Sequence, residues 1–260
     1  MTTNTPTSAK IAVAGATGRL GRHVVAVLGE QGYDVVPMSR THGVDVVGGE
    51  GLDAALAGVD VIVDVATSPS PDEAEATAFF TAATRNLHEA GRRAGVRRTL
   101  VVSIVGTDGY SGGYGAAKIA HERAALAGPL PTRILRATQF HEFVEQLLAW
   151  GTQGEVAFVQ EMRTQPIAAR SVAEALAGMV AEPGGPPVTD IAGPREESMV
   201  DLAALLASRR GLPVKVEGVT DPTDADSRLA AGGGLLPGPG ARLAGPTFAD
   251  WLETAGPAQT

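Results

Sequence analysis

Tyr114 and Lys118 stand four residues apart in Tyr114-Gly-Ala-Ala-Lys118, a spacing that puts both side chains on one face of a helix. A phenol beside an ammonium can do proton transfer at a carbonyl. The phenol protonates an alkoxide as it forms, and the neighbouring positive charge favours the phenolate, lowering a pKa of about 10 in the free side chain. The chain has three tyrosines (Tyr33, Tyr110, Tyr114) and three lysines (Lys10, Lys118, Lys215), while arginine supplies 18 of its 21 basic residues. A lysine at 118 therefore offers a compact charge whose properties arginine does not share. The competing explanation is an ordinary exposed lysine on an amphipathic helix. Ser103, on an expected strand, is a candidate to orient the carbonyl; Thr107 and Ser111 compete for that role, and a serine that only bonds its strand neighbours is the plainer alternative.

A second constellation lies near the start. The run Lys10-Ile-Ala-Val-Ala-Gly15 reads as a strand, and Gly15-Ala-Thr17-Gly18-Arg19-Leu20-Gly21 follows it into an amphipathic helix. A diphosphate bound at a helix N-terminus needs close approach to backbone N–H groups, and a Cβ in that turn obstructs it. Gly15 and Gly18 remove the obstruction, and Gly21 lets the helix sit close to the sheet. The spacing is G-x-x-G-x-x-G, not the commoner G-x-G-x-x-G. A tight βα turn that uses glycine for geometry alone is the alternative, and the strand before with the helix after favours nucleotide binding.

Ser39-Arg40 ends the second expected strand, where an NAD site usually carries an acidic residue for the ribose 2'-hydroxyl. Arg40 can grip a 2'-phosphate with its planar fork and Ser39 can add a hydroxyl, with Arg19 a second cation for the same group. The expected cofactor is accordingly NADP(H) in preference to NAD(H). By position, Ala66, Thr67 and Ser68 should lie on the same carboxyl edge, beside adenine and its ribose. Thr138, Gln139, Phe140 and His141 follow another strand at that edge and are candidate walls of a substrate pocket. His23, His88 and His121 have no partner at ligand spacing, so no metal site is expected. The Arg92-Arg93 and Arg97-Arg98 cluster sits where a helix C-terminus favours cations.

Elements must position these groups. Short Val/Ile-rich runs alternate with longer segments of helical period, the pattern of βαβ units and a parallel sheet. Strands are expected near 10–15, 33–38, 59–66, 98–105 and 131–137, with a weaker one at 44–47. Helices are expected near 19–31, 51–58, 72–95, 114–128 and 140–150. Beyond residue 151 the pattern loosens into strands at 155–159, 188–192 and 214–219 and helices at 171–181 and 198–210, with loops at 183–187 and 232–240. This part reads as a lobe of a single domain that packs on the C-terminal edge of the sheet and closes a substrate pocket. The fold class is therefore α/β, a doubly wound Rossmann-type parallel sheet with a small C-terminal substrate lobe.

Bulk properties narrow the partners. The 260 residues carry a net charge of −8, a field that repels phosphate backbones and anionic membranes. The chain has no cysteine, so disulfides, thiolate zinc and cysteine nucleophiles are excluded, consistent with a reducing compartment. The first ten residues lack the apolar core of a secretory signal, and no apolar stretch is long enough to span a bilayer. A cytoplasmic protein acting on a small molecule, without nucleic-acid or membrane partners, as monomer or homodimer, is expected.

Taken together, Gly15-Ala-Thr-Gly-Arg-Leu-Gly21, Leu56-Ala-Gly-Val-Asp-Val-Ile-Val-Asp-Val65, Thr84-Arg-Asn-Leu87, Val102-Ser-Ile-Val-Gly106, Tyr114-Gly-Ala-Ala-Lys118, Leu135-Arg-Ala-Thr-Gln-Phe140, Gln165-Pro-Ile167 and Thr247-Phe-Ala-Asp-Trp-Leu252 resemble the atypical short-chain dehydrogenase/reductases, particularly their NmrA-like, NAD(P)H-binding branch. The resemblance implies a Rossmann core, NADP(H) in its cleft and Tyr114 and Lys118 in catalytic positions, hence an NADP(H)-dependent oxidoreductase. That branch also includes members that bind the dinucleotide as redox sensors without turnover, so a non-catalytic regulator is the alternative. Ser103 lies 11 residues before Tyr114, close to but not cleanly matching the family's usual spacing.

Overall fold

In a computed structural model of the chain, residues 9–254 are described. The first strand, β1 (Lys10–Ala14), is buried at every position after Lys10, as a strand covered on both faces of a parallel sheet must be. Helix α1 (Arg19–Glu30) buries Leu20, Gly21, Val24, Val27 and Leu28, the stripe of a helix lying on a sheet. Next come β2 (Asp34–Met38), the short α2 (Leu52–Ala55) and β3 (Val61–Asp64). Helix α3 (Glu73–Ala94) starts where the Asp72 carboxylate accepts from the Glu75 N–H and stops at Gly95 in the left-handed region, an N-cap and a C-terminal glycine as physics prefers. Then follow β4 (Arg98–Ile104), α4 (Gly113–Ala127), β5 (Thr132–Ala137) and α5 (Phe143–Gly151).

The later elements are β6 (Thr152–Gln153), β7 (Val156–Gln160), β8 (Arg163–Thr164), α6 (Ala169–Ala181), β9 (Val188–Ala192), β10 (Glu197–Ser198), α7 (Met199–Arg209), β11 (Lys215–Val219), α8 (Ala225–Ala231), β12 (Arg242–Leu243) and α9 (Phe248–Thr254). Seven strands form one parallel sheet in the order β12-β9-β5-β4-β3-β1-β2. Smaller sheets have the orders β11-β7-β6 and β10-β8.

One expected strand is missing. Residues 44–47 form no strand: the Asp45 carboxylate accepts from the Val47 N–H, and the Asn86 amide donates to the Val46 and Val47 carbonyls. Side chains thus take backbone groups a strand would need. Of the elements after residue 151, β9 and β12 are two of the seven strands of the main sheet.

The chain divides into two compact units, one of Met1–Val102, Ala120–Ile134 and Ala173–Pro187, the other of Ser103–Ile119, Leu135–Val172 and Val188–Thr260. The first unit has a core cluster that includes Met38, Leu56, Ile62 and Leu87. The second has one around Val144, Leu148, Met199, Leu206 and Phe248. Small aliphatic side chains dominate both, in keeping with an aromatic content of 4%.

Candidate active site

In the first unit the turn between β1 and α1 is tied down by its own backbone. Gly15 N–H and Ala16 N–H both donate to the Met38 carbonyl at the end of β2, and Gly18 N–H donates to the Gly15 carbonyl. Gly15 has φ +79°, and a Cβ there would come within 2.8 Å of the Ala66 backbone. A Cβ on Gly21 would stand 2.0 Å from the Gly15 carbonyl oxygen. Both glycines are therefore demanded by the fold itself. Gly18 differs: it is exposed, its φ is −71°, and its closest Cβ neighbour would be 3.1 Å away. It begins α1 with no side-chain cap, and no acidic residue stands in the first turn. A helix start left without an anionic cap suits an external anion. Thr17 and Arg19 are exposed beside it, whereas the Leu20 side chain is buried and only its backbone is left for a ligand.

At the end of β2, Ser39 Oγ lies 2.8 Å from Thr41 Oγ1 and 2.7 Å from His42 Nδ1, and Arg40 is exposed at the start of a 3₁₀ turn. Hydroxyls, an imidazole and a guanidinium are thus grouped where β2 ends. Ala66 packs on Gly15, and Thr67 is exposed; Ser68 is buried, with its hydroxyl engaged by Ser70 N–H and carbonyl. Sequence reasoning missed what holds the Ala66 corner. Asp64 is buried, accepts from the Ala66 N–H at 3.0 Å and lies 3.5 Å from His121 Nε2, whose ring stacks on Phe80 at 4.5 Å. No short-range pattern links positions 64, 80 and 121. These residues fit the diphosphate and ribose ends of a dinucleotide.

In the second unit, α4 carries Tyr114, half-buried, and Lys118, 5% exposed. Lys118 is no surface lysine. Burial pushes the Tyr114 phenol up to about 12, where the sequence suggested an ammonium would pull it below 10. Desolvation disfavours the phenolate, so the phenol keeps its proton at neutral pH.

Of the three candidate orienters, Thr107 donates to the Ile104 carbonyl and Ser111 to the Asp226 carboxylate. Ser103, 2% exposed on β4, has a hydroxyl with no hydrogen-bond partner among the described residues. An unsatisfied buried hydroxyl costs about 1–3 kcal/mol, which a bound oxygen would relieve.

Each of the pocket-wall candidates also makes contacts within the fold. Thr138 donates to the Gln165 carbonyl at 2.6 Å, Gln139 accepts from Thr164, and Phe140 bridges to Ile167. His141 is fully buried in the second unit, its Nε2 3.2 Å from the Pro246 carbonyl and its ring against Phe248 and Trp251. Burial lowers its pKa to about 4, the property of a neutral core histidine. Among the described residues no group of three or more His, Asp or Glu could hold a metal ion, and no helix is long and apolar enough to cross a membrane.

A parallel sheet of this order with a glycine turn at its first βα junction defines a Rossmann-type fold. Residues 11–171 match the NAD dependent epimerase/dehydratase family, and the chain belongs to it. A nicotinamide dinucleotide goes with that family.

Similar solved structures include UDP-N-acetylglucosamine 4-epimerase from Bacillus cereus, 18% identical over 95% of this chain and 95% of that one, TM-score 0.69. Another is dTDP-4-dehydrorhamnose reductase from Bacillus anthracis in complex with NADP, 17% identical over 82% and 85%, TM-score 0.65. A third is a short-chain dehydrogenase/reductase superfamily protein from Agrobacterium tumefaciens with bound NAD, 22% identical over 94% and 95%, TM-score 0.65. At these identities the likeness speaks for the fold. No curated protein matches the sequence.

Proposed function

We propose that the chain is an NADP(H)-dependent reductase of a carbonyl on a small organic molecule, with Tyr114 as proton donor, Lys118 as its electrostatic partner and Ser103 as the group that orients the carbonyl. The observation that carries this reading is the placement of Tyr114 and the buried Lys118 four residues apart on α4, with the buried Ser103 hydroxyl of β4 without a hydrogen-bond partner among the described residues. The half-buried phenol, its pKa pushed up to about 12, holds its proton at neutral pH and can give it to a developing alkoxide. Bound NADPH supplies the hydride. Tyr114 gives the substrate oxygen its proton, and the buried Lys118 ammonium stabilises the phenolate left behind. Ser103 donates its hydrogen bond to the carbonyl oxygen and so polarises the carbon that is attacked.

In the first unit, Gly15, Gly18 and Gly21 with the α1 N-terminus would hold the diphosphate, Ser39, Arg40 and Arg19 the 2'-phosphate, and Ala66 to Ser68 the adenosine end. Relatives named as 4-keto-sugar reductases and sugar-nucleotide epimerases make nucleotide-linked keto sugars the first substrates to try. The NmrA-like affinity and a cytoplasmic setting belong to the same reading, supported by the quoted motifs and by the absence of cysteine.

The test is NADPH oxidation over a panel of simple carbonyls and nucleotide-linked keto sugars. Turnover that falls about 10²- to 10⁴-fold in Tyr114→Phe, with NADPH affinity kept, is expected. Tight NADPH binding with no turnover of any panel member would instead support a dinucleotide sensor.

A further inference from the structure

Residues far along the chain grip the loop that leads into Tyr114. Asp226, on α8, accepts three hydrogen bonds from that loop: from the Ser111 N–H at 2.8 Å, the Ser111 hydroxyl at 2.9 Å and the Gly112 N–H at 3.2 Å. Gly112 is the residue whose carbonyl receives the first bond of α4, from the Ala116 N–H. The carboxylate therefore holds the residue from which the Tyr114 helix begins. Charge-assisted bonds of this kind are the stronger ones.

The carboxylate is itself held. Asp224 accepts from the N–H groups of Asp226 and Ser227, the N-cap geometry that fixes the start of α8. The rest of the segment is pressed onto the same loop. A Cβ on Gly106 would meet the Gly234 carbonyl at 2.5 Å, and one on Gly109 would meet the Leu229 side chain at 3.1 Å. From the α4 side, the Tyr110 ring lies where a Cβ on Gly115 would stand, 2.3 Å from it. The residue beside Tyr114 must therefore be glycine for that ring to pack. All these groups belong to the second unit.

We propose that Asp226 is a positioning residue, which through Ser111 and Gly112 fixes the first turn of α4 and so the place of the Tyr114 hydroxyl relative to a bound carbonyl. The inference rests on the reading of Tyr114 as proton donor and adds an element that the Tyr–Lys pair does not contain. A carboxylate that merely solvated a surface helix would not take three donors from one loop. Asp226 is half-buried, and the Tyr110 phenol, beside Asp226 and Asp224, is also pushed up, chiefly by burial.

The full chain has only three tyrosines, so Tyr33→Phe with Tyr110→Phe leaves Tyr114 as the sole phenol while keeping both rings. Its ionisation can then be followed by phenolate absorbance without any substrate. In that background Asp226→Asn keeps the shape but presents an amide where two acceptors stood. The expected result is a Tyr114 midpoint about one unit lower, as a loosened turn admits water. With the substrate that the parent reduces, kcat falls about 10- to 100-fold while KM for NADPH stays within about 2-fold. Ser111→Ala, which removes one of the three bonds and leaves the carboxylate, is expected to move both readouts in the same direction by less. It carries the test if Asp226→Asn does not fold.

If either folded variant titrates as its parent and keeps its kcat, while Tyr114→Phe abolishes turnover, the positioning role is overturned and the reading of Tyr114 survives. If Tyr114→Phe itself leaves turnover intact, both are overturned together.

Discussion

The carbonyl oxygen of Gly15 sits 2.0 Å from the place a β-carbon on Gly21 would occupy, so the β1–α1 turn and the first turn of α1 are packed backbone on backbone. Alanine normally stabilises a helix relative to glycine by about 1 kcal/mol, yet here the clash outweighs that gain. Gly21→Ala is expected to destabilise the protein by about 1–3 kcal/mol, read as a lower urea midpoint. Gly18→Ala, at the N-cap with φ −71° and its nearest contact at 3.1 Å, should cost less, about 0.5–1 kcal/mol, and weaken dinucleotide binding. Equal losses of stability in the two variants would mean that Gly18 serves the fold alone.

Arg40 is exposed at the end of β2 beside the Ser39, Thr41 and His42 cluster. Arg40→Ala is expected to weaken NADPH about 10-fold, the worth of one partly solvated charge-assisted contact, and to leave NADH unchanged. Calorimetric titration of both nucleotides on both proteins decides it. Equal affinities throughout would remove Arg40 and NADP preference from the reading.

Tyr114 holds its proton more tightly in the folded chain, to about pH 12, than an unfolded tyrosine does, at about 10. Between those values the native state binds the extra proton, so its stability falls as pH rises through that window. Wild type should lose more stability than Tyr114→Phe between pH 9 and pH 11, measured by urea unfolding. Parallel losses would mean that the phenol is better solvated than its burial implies.

His141 behaves in the opposite way at acid pH. Its pKa of about 4 in the fold lies below the unfolded value of about 6.5, so the unfolded chain binds the extra proton between them. Stability present above pH 6.5 is lost as pH falls toward 4, by up to about 3 kcal/mol. His88, lowered by burial, adds to the same limb. His141→Gln should flatten the acid limb of the stability profile; an unchanged limb would place the effect elsewhere.

Much of the architecture was legible along the chain because its causes are local. Alternating runs, glycine helix stops and the β1–α1 turn depend on neighbours within a few residues, and the expected strands at 10–15, 33–38, 98–105 and 188–192 lie within a residue or two of those found. The strand expected at 44–47 failed because Asn86, about forty residues away, claims its carbonyls. The same holds for the site. Glycine spacing and the Tyr114–Lys118 interval were visible, since a helix turn sets them.

Three things were left to tertiary structure. Burial raised the Tyr114 phenol where charge alone suggested it would fall. Thr107 and Ser111 found partners and Ser103 did not. Thr138, Gln139 and His141 were drawn into bracing contacts with residues from Thr164 to Pro246. Hydrogen-bond satisfaction and desolvation depend on which distant groups come within reach, and only the folded chain decides that.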